Sequence, residues 1–149
     1  SSMLPLKKKS PSKSPKNLEG QFFQGLKSNL KKLKRKLVLT RVETWVSPGV
    51  PDLLICDEKG LFHFLELKVT GSNIVRLSPH QISWLTLHKN SSSWILVRQQ
   101  KPKQTKPVIY LYHAKNAMNL QKDGLHTKPS LVFEYKTDWS SIFDLISPI

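Results

Sequence analysis

The chain has 149 residues, which is enough for one domain with its own hydrophobic core and too few for two domains of ordinary size. Its 24 Lys and Arg residues outnumber 10 Asp and Glu residues, and the formal charge of +14 at pH 7 indicates a polyanionic partner: DNA, RNA or an acidic membrane surface. Cys56 is the only cysteine, which excludes an internal disulfide and a zinc site built from cysteines.

The basic residues are concentrated in a tail and a first helix. Residues 1–16 combine Lys, Ser and Pro, and we interpret them as a disordered basic tail that either holds phosphates loosely or is a solvated leader. In the single folded domain that we expect at 17–149, apolar residues first recur every three or four positions. This spacing predicts a helix whose buried stripe contains Phe22, Phe23, Leu26, Leu30, Leu33 and Leu37. The exposed lysines that we interpret as DNA contacts are Lys27, Lys31 and Lys34.

The later elements predict an α/β fold. A second helix begins at Ser78 and runs to about residue 90, because Ser78 is a suitable N-cap, Pro79 suits the first helical position and Gln81 has capping-box spacing. The other predicted elements are strands at 38–46, 52–57, 61–69, 93–99, 108–112 and 131–135 and helices near 114–121 and 139–146. The order α-β-β-β-α-β through residue 99 predicts a mixed central sheet flanked by helices, followed by a C-terminal αβα extension.

The strands at 52–57 and 61–69 should form a hairpin. Residues 58–60 suit a three-residue loop that ends in a glycine with left-handed backbone. This loop pairs Asp57 with Leu61, and the same register places Asp52 directly opposite Glu66.

This register collects charged groups on one face of the hairpin. Glu66 and Lys68 are two residues apart on a strand, so they share the face that carries Asp52. Two opposed carboxylates repel each other in a plain sheet, and a divalent cation removes the conflict. Mg²⁺ prefers oxygen ligands and needs only one or two protein carboxylates. The alternative is a surface hairpin with Asp52 at a turn and Glu66 and Lys68 as a weak exposed pair.

Three motifs occur in a fixed order between about Leu18 and Gln99. They are Gly49-Val50-Pro51-Asp52, Glu66-Leu67-Lys68 and Ser78-Pro79-His80-Gln81. Together they resemble the PD-(D/E)XK nuclease superfamily and, within it, the VRR-NUC branch. The resemblance implies a restriction-endonuclease-like core and phosphodiester hydrolysis that depends on Mg²⁺, for which Mn²⁺ can substitute. It implies that Asp52, Glu66 and the carbonyl group of Leu67 bind the metal and that Lys68 is catalytic.

Two further residues are candidates for the same site. Glu19 lies in register with the apolar stripe of the first helix, where a carboxylate is costly unless it is paired or bound to a metal. The alternative is an acid favoured by the helix dipole, whereas the resembling nucleases carry a glutamate here that lines the metal site. Gln81 has two interpretations that need not exclude each other: it is the capping partner of Ser78 and, as the family motif implies, an amide near the active site. Ser78 is a further candidate for DNA contact.

Three functions remain open at this point. Stand-alone nucleases of this branch look like Holliday-junction resolvases, which implies an intracellular homodimer that cuts branched DNA, in a cytoplasm or nucleoid or, for a phage protein, in the host cytoplasm. The second function is a non-catalytic basic nucleic-acid-binding module, and the third is a sequence-specific restriction-type nuclease. No membrane partner is expected, because no apolar run approaches the length of a membrane span. The apolar segment 139–146 is a candidate for the dimer interface, with packing in its own subunit as the alternative.

Overall fold

The structure is a computed structural model that describes residues 15–42, 48–134 and 136–149. Its helices are α1 (Pro15–Leu30), α2 (Pro79–Leu87), α3 (Ala117–Asp123) and α4 (Trp139–Ile146). Its strands are β1 (Val38–Arg41), β2 (Leu53–Cys56), β3 (Phe62–Thr70), β4 (Ser93–Gln99), β5 (Val108–His113) and β6 (Leu131–Phe133). Short 3₁₀ turns at Ala114–Asn116 and Gly124–His126 flank α3. The predicted order α-β-β-β-α-β through residue 99 is confirmed.

The six strands form one mixed sheet in the order β1-β2-β3-β4-β5-β6. β3 and β4 are parallel and are joined by a crossover that contains α2, and the other neighbouring strands are antiparallel. The predicted register of the β2–β3 hairpin is confirmed, because Leu53 pairs with Leu65 and Cys56 pairs with Phe62. Extended by one residue, this register places Asp52 opposite Glu66.

Helices cover both faces of the sheet, and each face has its own apolar cluster. On one face, α1 and α4 pack against β2 and β3 around Leu26, Leu65 and Phe143, which are all fully buried. On the other face, the cluster contains Leu85 of α2, Leu120 of α3 and inward-facing residues of β4 and β5. Along β4 and β5, successive apolar residues belong alternately to the two clusters, because their side chains point to opposite faces of the sheet. This arrangement also leaves α2 facing the side of β3 that carries the charged residues.

The first helix differs from its prediction at both ends. It begins at Pro15, two residues before the predicted start, and it ends at Leu30, so the stripe does not continue as a helix to Leu37. Leu33 and Leu37 still pack against the core from the segment that leads to β1. In this segment the guanidinium of Arg35 donates to the carbonyl oxygen of Phe143 at 3.0 Å and pairs with a glutamate of the β2–β3 loop.

The C-terminal region packs against the same sheet. β6 joins the sheet beside β5, and α4 places Ile142, Phe143 and Ile146 in the apolar cluster under α1. These three residues were part of the predicted dimer interface, and that prediction is wrong for them because each is at most 3% exposed within its own subunit. The alternative, packing within the subunit, is confirmed.

Some predictions fall on residues outside the described ranges. They are the first fourteen residues of the predicted tail, the end of the strand predicted at 38–46 and Tyr135 of the strand predicted at 131–135. Within the described ranges, no helix has the length and apolar character that crossing a bilayer requires.

Candidate active site

The open end of the β2–β3 hairpin brings two carboxylates together. Asp52 immediately precedes β2, and its Oδ2 accepts a hydrogen bond of 3.0 Å from the backbone N–H of Leu67 on β3. Glu66 lies on the adjacent strand and is only 2% exposed. The predicted pair is therefore present, and it is far more buried than the alternative of an exposed surface hairpin would require.

The turn before Asp52 is packed against the beginning of α2. Gly49 has a φ of +91°, and a Cβ atom at this position would lie 2.3 Å from the carbonyl oxygen of His80. Any other residue would be strained and would push the turn away from the helix. The glycine that begins the motif thus allows the turn and α2 to approach closely, which brings Asp52 and Gln81 to one site.

Gln81 links the charged residues of β3 to the start of α2. Its Nε2 donates to Glu66 Oε2 at 3.0 Å, and its Oε1 accepts from Lys68 Nζ at 3.1 Å. The same Oε1 accepts from the backbone N–H of Ser78, and the hydroxyl of Ser78 accepts from the N–H of Gln81. Both predicted arrangements of Gln81 therefore occur at once: it forms the capping box and it contacts the candidate catalytic residues.

One carboxyl oxygen of Glu66, the buried Oε1, accepts no hydrogen bond from the described residues. Burial raises the pKa of Glu66 well above its usual value. The nearby charge of Asp52, and a side-chain hydrogen bond that protonated Glu66 donates to Asp52, raise this pKa further. Lys68 opposes this shift, with its Nζ 3.9 Å from Glu66 Oε2. A buried acceptor without a donor typically costs about 1–3 kcal/mol, so the chain tolerates an unfavourable group at this position.

Glu19 reaches the same region from α1. It is half-buried, and its pKa is raised mainly by burial, with a further contribution from Asp52 and an opposing one from Lys68. Together with Lys68 it lines a groove of about 390 Å³. Glu19 therefore lies near Lys68, and its role in the site stays a prediction.

The donor set fits a hard cation. In residues 15–42, 48–134 and 136–149, no group of three or more His, Cys, Asp and Glu side chains is arranged to hold a metal ion. The candidate ligands are therefore two carboxylates and, as the family resemblance implies, the backbone carbonyl of Leu67. Mg²⁺ accepts such a sparse set of oxygens because it retains water. Oε1 of Glu66, which accepts no hydrogen bond from the described residues, fits this requirement, whereas direct ligation by Glu19 stays a prediction.

The lysines predicted to contact DNA are exposed but do not share one helix face. Lys27 lies on α1, whereas Lys31 and Lys34 follow the end of the helix at Leu30. Lys27 and Lys31 line a groove of about 370 Å³ with Lys36. The basic surface is therefore broader than a helical stripe, and DNA contact by these residues and by Ser78 stays a prediction.

A second buried polar cluster was not predicted from the sequence. The Nε2 of His63 lies 2.8 Å from Asp57 Oδ2, and its Nδ1 lies 2.6 Å from the hydroxyl of Ser92. This order resembles a hydrolytic triad, but the same hydroxyl accepts a hydrogen bond from the indole N–H of Trp94. Ser147 donates to Asp57 as well, so the cluster fastens the C-terminal residues to the hairpin. Because its members are far apart in sequence, no local pattern predicts it.

Comparison with known proteins adds little to this description. No protein-family model matches the chain, and no curated protein matches it. Among solved structures, the chain is similar to a Holliday junction resolvase from the archaeal hyperthermophile Archaeoglobus fulgidus, with 19% sequence identity and a TM-score of 0.44. The similarity covers 64% of this chain and 77% of that chain. A likeness of this size carries no conclusion about activity, so the function must be inferred from the residues of this chain.

Proposed function

We propose that the protein is a Mg²⁺-dependent endonuclease that hydrolyses phosphodiester bonds in branched DNA. The observation that carries this proposal is the buried Oε1 of Glu66, which accepts no hydrogen bond from the described residues and lies opposite Asp52 and beside Lys68. Two carboxylates and an ammonium group at the open end of the β2–β3 hairpin, with Glu66 buried, are costly for folding alone. They are useful where a cation and a phosphate must meet.

Some of the site residues would bind the metal ion, and the others act on the phosphate or position a neighbouring side chain. Asp52, Glu66 and the carbonyl of Leu67 would hold Mg²⁺, which when bound lowers the pKa of a water molecule and offsets charge on the phosphate. Lys68 stabilises the charge that develops on the phosphate, and Gln81 orients Lys68 through its hydrogen bond of 3.1 Å. The formal charge of +14 attracts the phosphate backbone over the whole surface.

Branched DNA and a homodimer are the finer parts of the proposal. Resolving a four-way junction requires two nicks, and a chain with one such site supplies two by pairing about a two-fold axis. The interface would not be built on Ile142, Phe143 and Ile146, which are buried in their own subunit. Light scattering across micromolar concentrations tests the pairing, and a strict monomer that nicks flaps but ignores four-way junctions would remove this part alone.

The chemistry is tested by substituting the site carboxylates. Asp52→Asn and Glu66→Gln should abolish cleavage of branched DNA in Mg²⁺ or Mn²⁺ while DNA binding in EDTA stays within about threefold, since the fold and basic surface remain. Lys68→Ala should also inactivate the protein but leave intact the rise in melting temperature that Mg²⁺ produces. The corresponding stabilisation, about 3 kcal/mol at a cation concentration of about 100 times Kd, should vanish in the two carboxylate variants.

A matched control is Asp123→Asn, since Asp123 is exposed and lies at the end of α3. It should retain cleavage and the response to Mg²⁺. The substrate panel contains single-stranded, duplex, flap and four-way DNA, each with Mg²⁺, Mn²⁺ or EDTA. Tight binding without cleavage of any substrate would favour the non-catalytic binding module, and cleavage retained in both carboxylate variants would remove the site.

A further inference from the structure

The groove beside the carboxylates has a shape that the proposed chemistry does not require. It measures about 390 Å³ and lies between the end of β3 and the segment that leads to α2. Glu19 and Lys68 line it, so it is continuous with the candidate active site. Ile74 and Arg76 line it as well, and neither has a role in binding a cation.

One wall of the groove is held rigidly. The hydroxyl of Thr70 donates to the carbonyl oxygen of Ile74 at 2.7 Å, and the hydroxyl of Ser72 accepts from the N–H of Ile74 at 3.0 Å. Gln99 at the end of β4 donates to the carbonyl oxygen of Ser72 and to the side chain of Asn73. A wall fixed in this way is preformed, so a ligand loses little free energy to ordering it.

The groove combines an unused cation with an exposed apolar side chain. Across the described ranges, the guanidinium of exposed Arg76 forms no hydrogen bond or ion pair, whereas Lys68 is bonded to Gln81. Ile74 is 55% exposed although it is a large aliphatic residue. A guanidinium matches the geometry of a phosphate, and an aliphatic side chain matches a sugar or base. One nucleotide contains a phosphate, a sugar and a base, so a single nucleotide matches both side chains.

The size of the groove restricts which nucleotide can enter. Its volume is near the lower end of the roughly 300–1,000 Å³ typical of small-ligand pockets, which suits one unpaired nucleotide and not a base pair. We propose that the groove binds an unpaired nucleotide next to the scissile phosphate, with Arg76 on the phosphate of that nucleotide and Ile74 against its sugar or base. This inference rests on the proposed function for its orientation, and it makes the branch point the preferred site.

The test substitutes Arg76 and, separately, neutralises single phosphates of the substrate. Arg76→Gln should raise the KM for flap or four-way DNA by about tenfold, as expected for a lost charged hydrogen bond, and should keep kcat within about twofold. Arg76→Lys should recover part of the loss, because it retains the charge without the planar fork. The control Lys89→Gln removes an equal charge beyond the far end of α2 and should leave KM unchanged.

Substrates with a single neutral methylphosphonate linkage identify the phosphate. At one linkage next to the branch point, neutralisation should weaken binding by the wild-type protein about tenfold and have no further effect on Arg76→Gln. Losses that add at every linkage would overturn the inference, since Arg76 would then act only through the general field. So would equal binding of fully paired duplex and branched DNA by the wild-type protein.

Binding is measured by fluorescence anisotropy in EDTA, which separates the two proposals. If no metal ion supports cleavage but the single-phosphate coupling to Arg76 persists, the nuclease function fails and the nucleotide groove stands. If cleavage proceeds with Mg²⁺ and the coupling is absent, the groove inference fails and the nuclease function stands.

Discussion

Two buried carboxylates lie at opposite ends of the β2–β3 hairpin, and their surroundings shift their pKa values in opposite directions. Asp57, at the loop end, accepts hydrogen bonds from His63 and Ser147 and from the backbone N–H groups of Lys59 and Leu61. These hydrogen bonds hold the pKa of Asp57 far below its usual value, and the one from His63 contributes most. Glu66, at the open end, receives one such bond from Gln81, and burial raises its pKa.

The difference distinguishes a carboxylate that stabilises the fold from one for which we propose a function. At the loop end the chain supplies every donor that Asp57 needs, so its charge stabilises the fold. At the open end the chain buries Glu66, leaves Oε1 without a donor and places Asp52 nearby, so the charge destabilises the fold. Departures of this kind from good local packing are concentrated at functional sites, where a ligand completes the interactions.

The largest expected effect is on the loop end. Asp57→Asn should lower the midpoint of thermal unfolding by about 10 °C, because an amide cannot accept all the hydrogen bonds that the carboxylate accepts. Differential scanning calorimetry measures the change, with Asp123→Asn as the exposed control. A shift no larger than that of the control would show that the cluster around Asp57 adds nothing to stability.

A smaller effect of opposite sign is expected at the open end. Glu66→Gln should raise the thermal midpoint by about 2–4 °C in EDTA, because the amide removes a buried charge at the expense of little packing. The same substitution should remove the stabilisation that Mg²⁺ gives the wild-type protein. Destabilisation in EDTA would mean that the Glu66 charge is satisfied in the free protein, and the contrast with Asp57 would be lost.

A third effect, of opposite sign for the two carboxylates, is expected on the pH dependence of stability. The pKa of Glu66 is raised, so its contribution is favourable below about pH 4.5 and is lost as the pH rises through the raised pKa. The pKa of Asp57 is lowered, so its contribution is present above pH 3.8 and is lost as the pH falls toward the depressed pKa. Urea unfolding in EDTA from pH 3 to pH 8 measures both.

The two variants identify the two contributions. The stability advantage of Glu66→Gln over the wild type should grow with rising pH, by at most about 1.4 kcal/mol per pH unit for one proton. The deficit of Asp57→Asn should shrink below pH 3.8. Parallel pH profiles for the two variants would contradict the assignment of opposite pKa shifts.

The sequence by itself determined the hairpin and the residues gathered at its open end. The three-residue loop and the alternation of strand residues are local, so the register that places Asp52 opposite Glu66 follows from neighbouring residues. The capping box of α2 is equally local, and Ser78 and Gln81 were predicted from their spacing. The order of elements and the mixed sheet followed from periodicity. The roles of the site residues stay predictions until the substitutions are made.

Only the tertiary structure decided what surrounds the hairpin. The apolar stripe of α1 continues in sequence to Leu37, but the helix ends at Leu30, and Arg35 beyond it forms hydrogen bonds with residues more than 100 positions away. The cluster around Asp57 likewise joins residues up to 90 positions apart. Periodicity records which side of an element is apolar, and it cannot record which distant element covers that side. For the same reason the sequence allowed α4 to be interpreted as an interface, whereas the structure buries Ile142, Phe143 and Ile146 in their own subunit. The sequence also did not predict the groove that Arg76 lines.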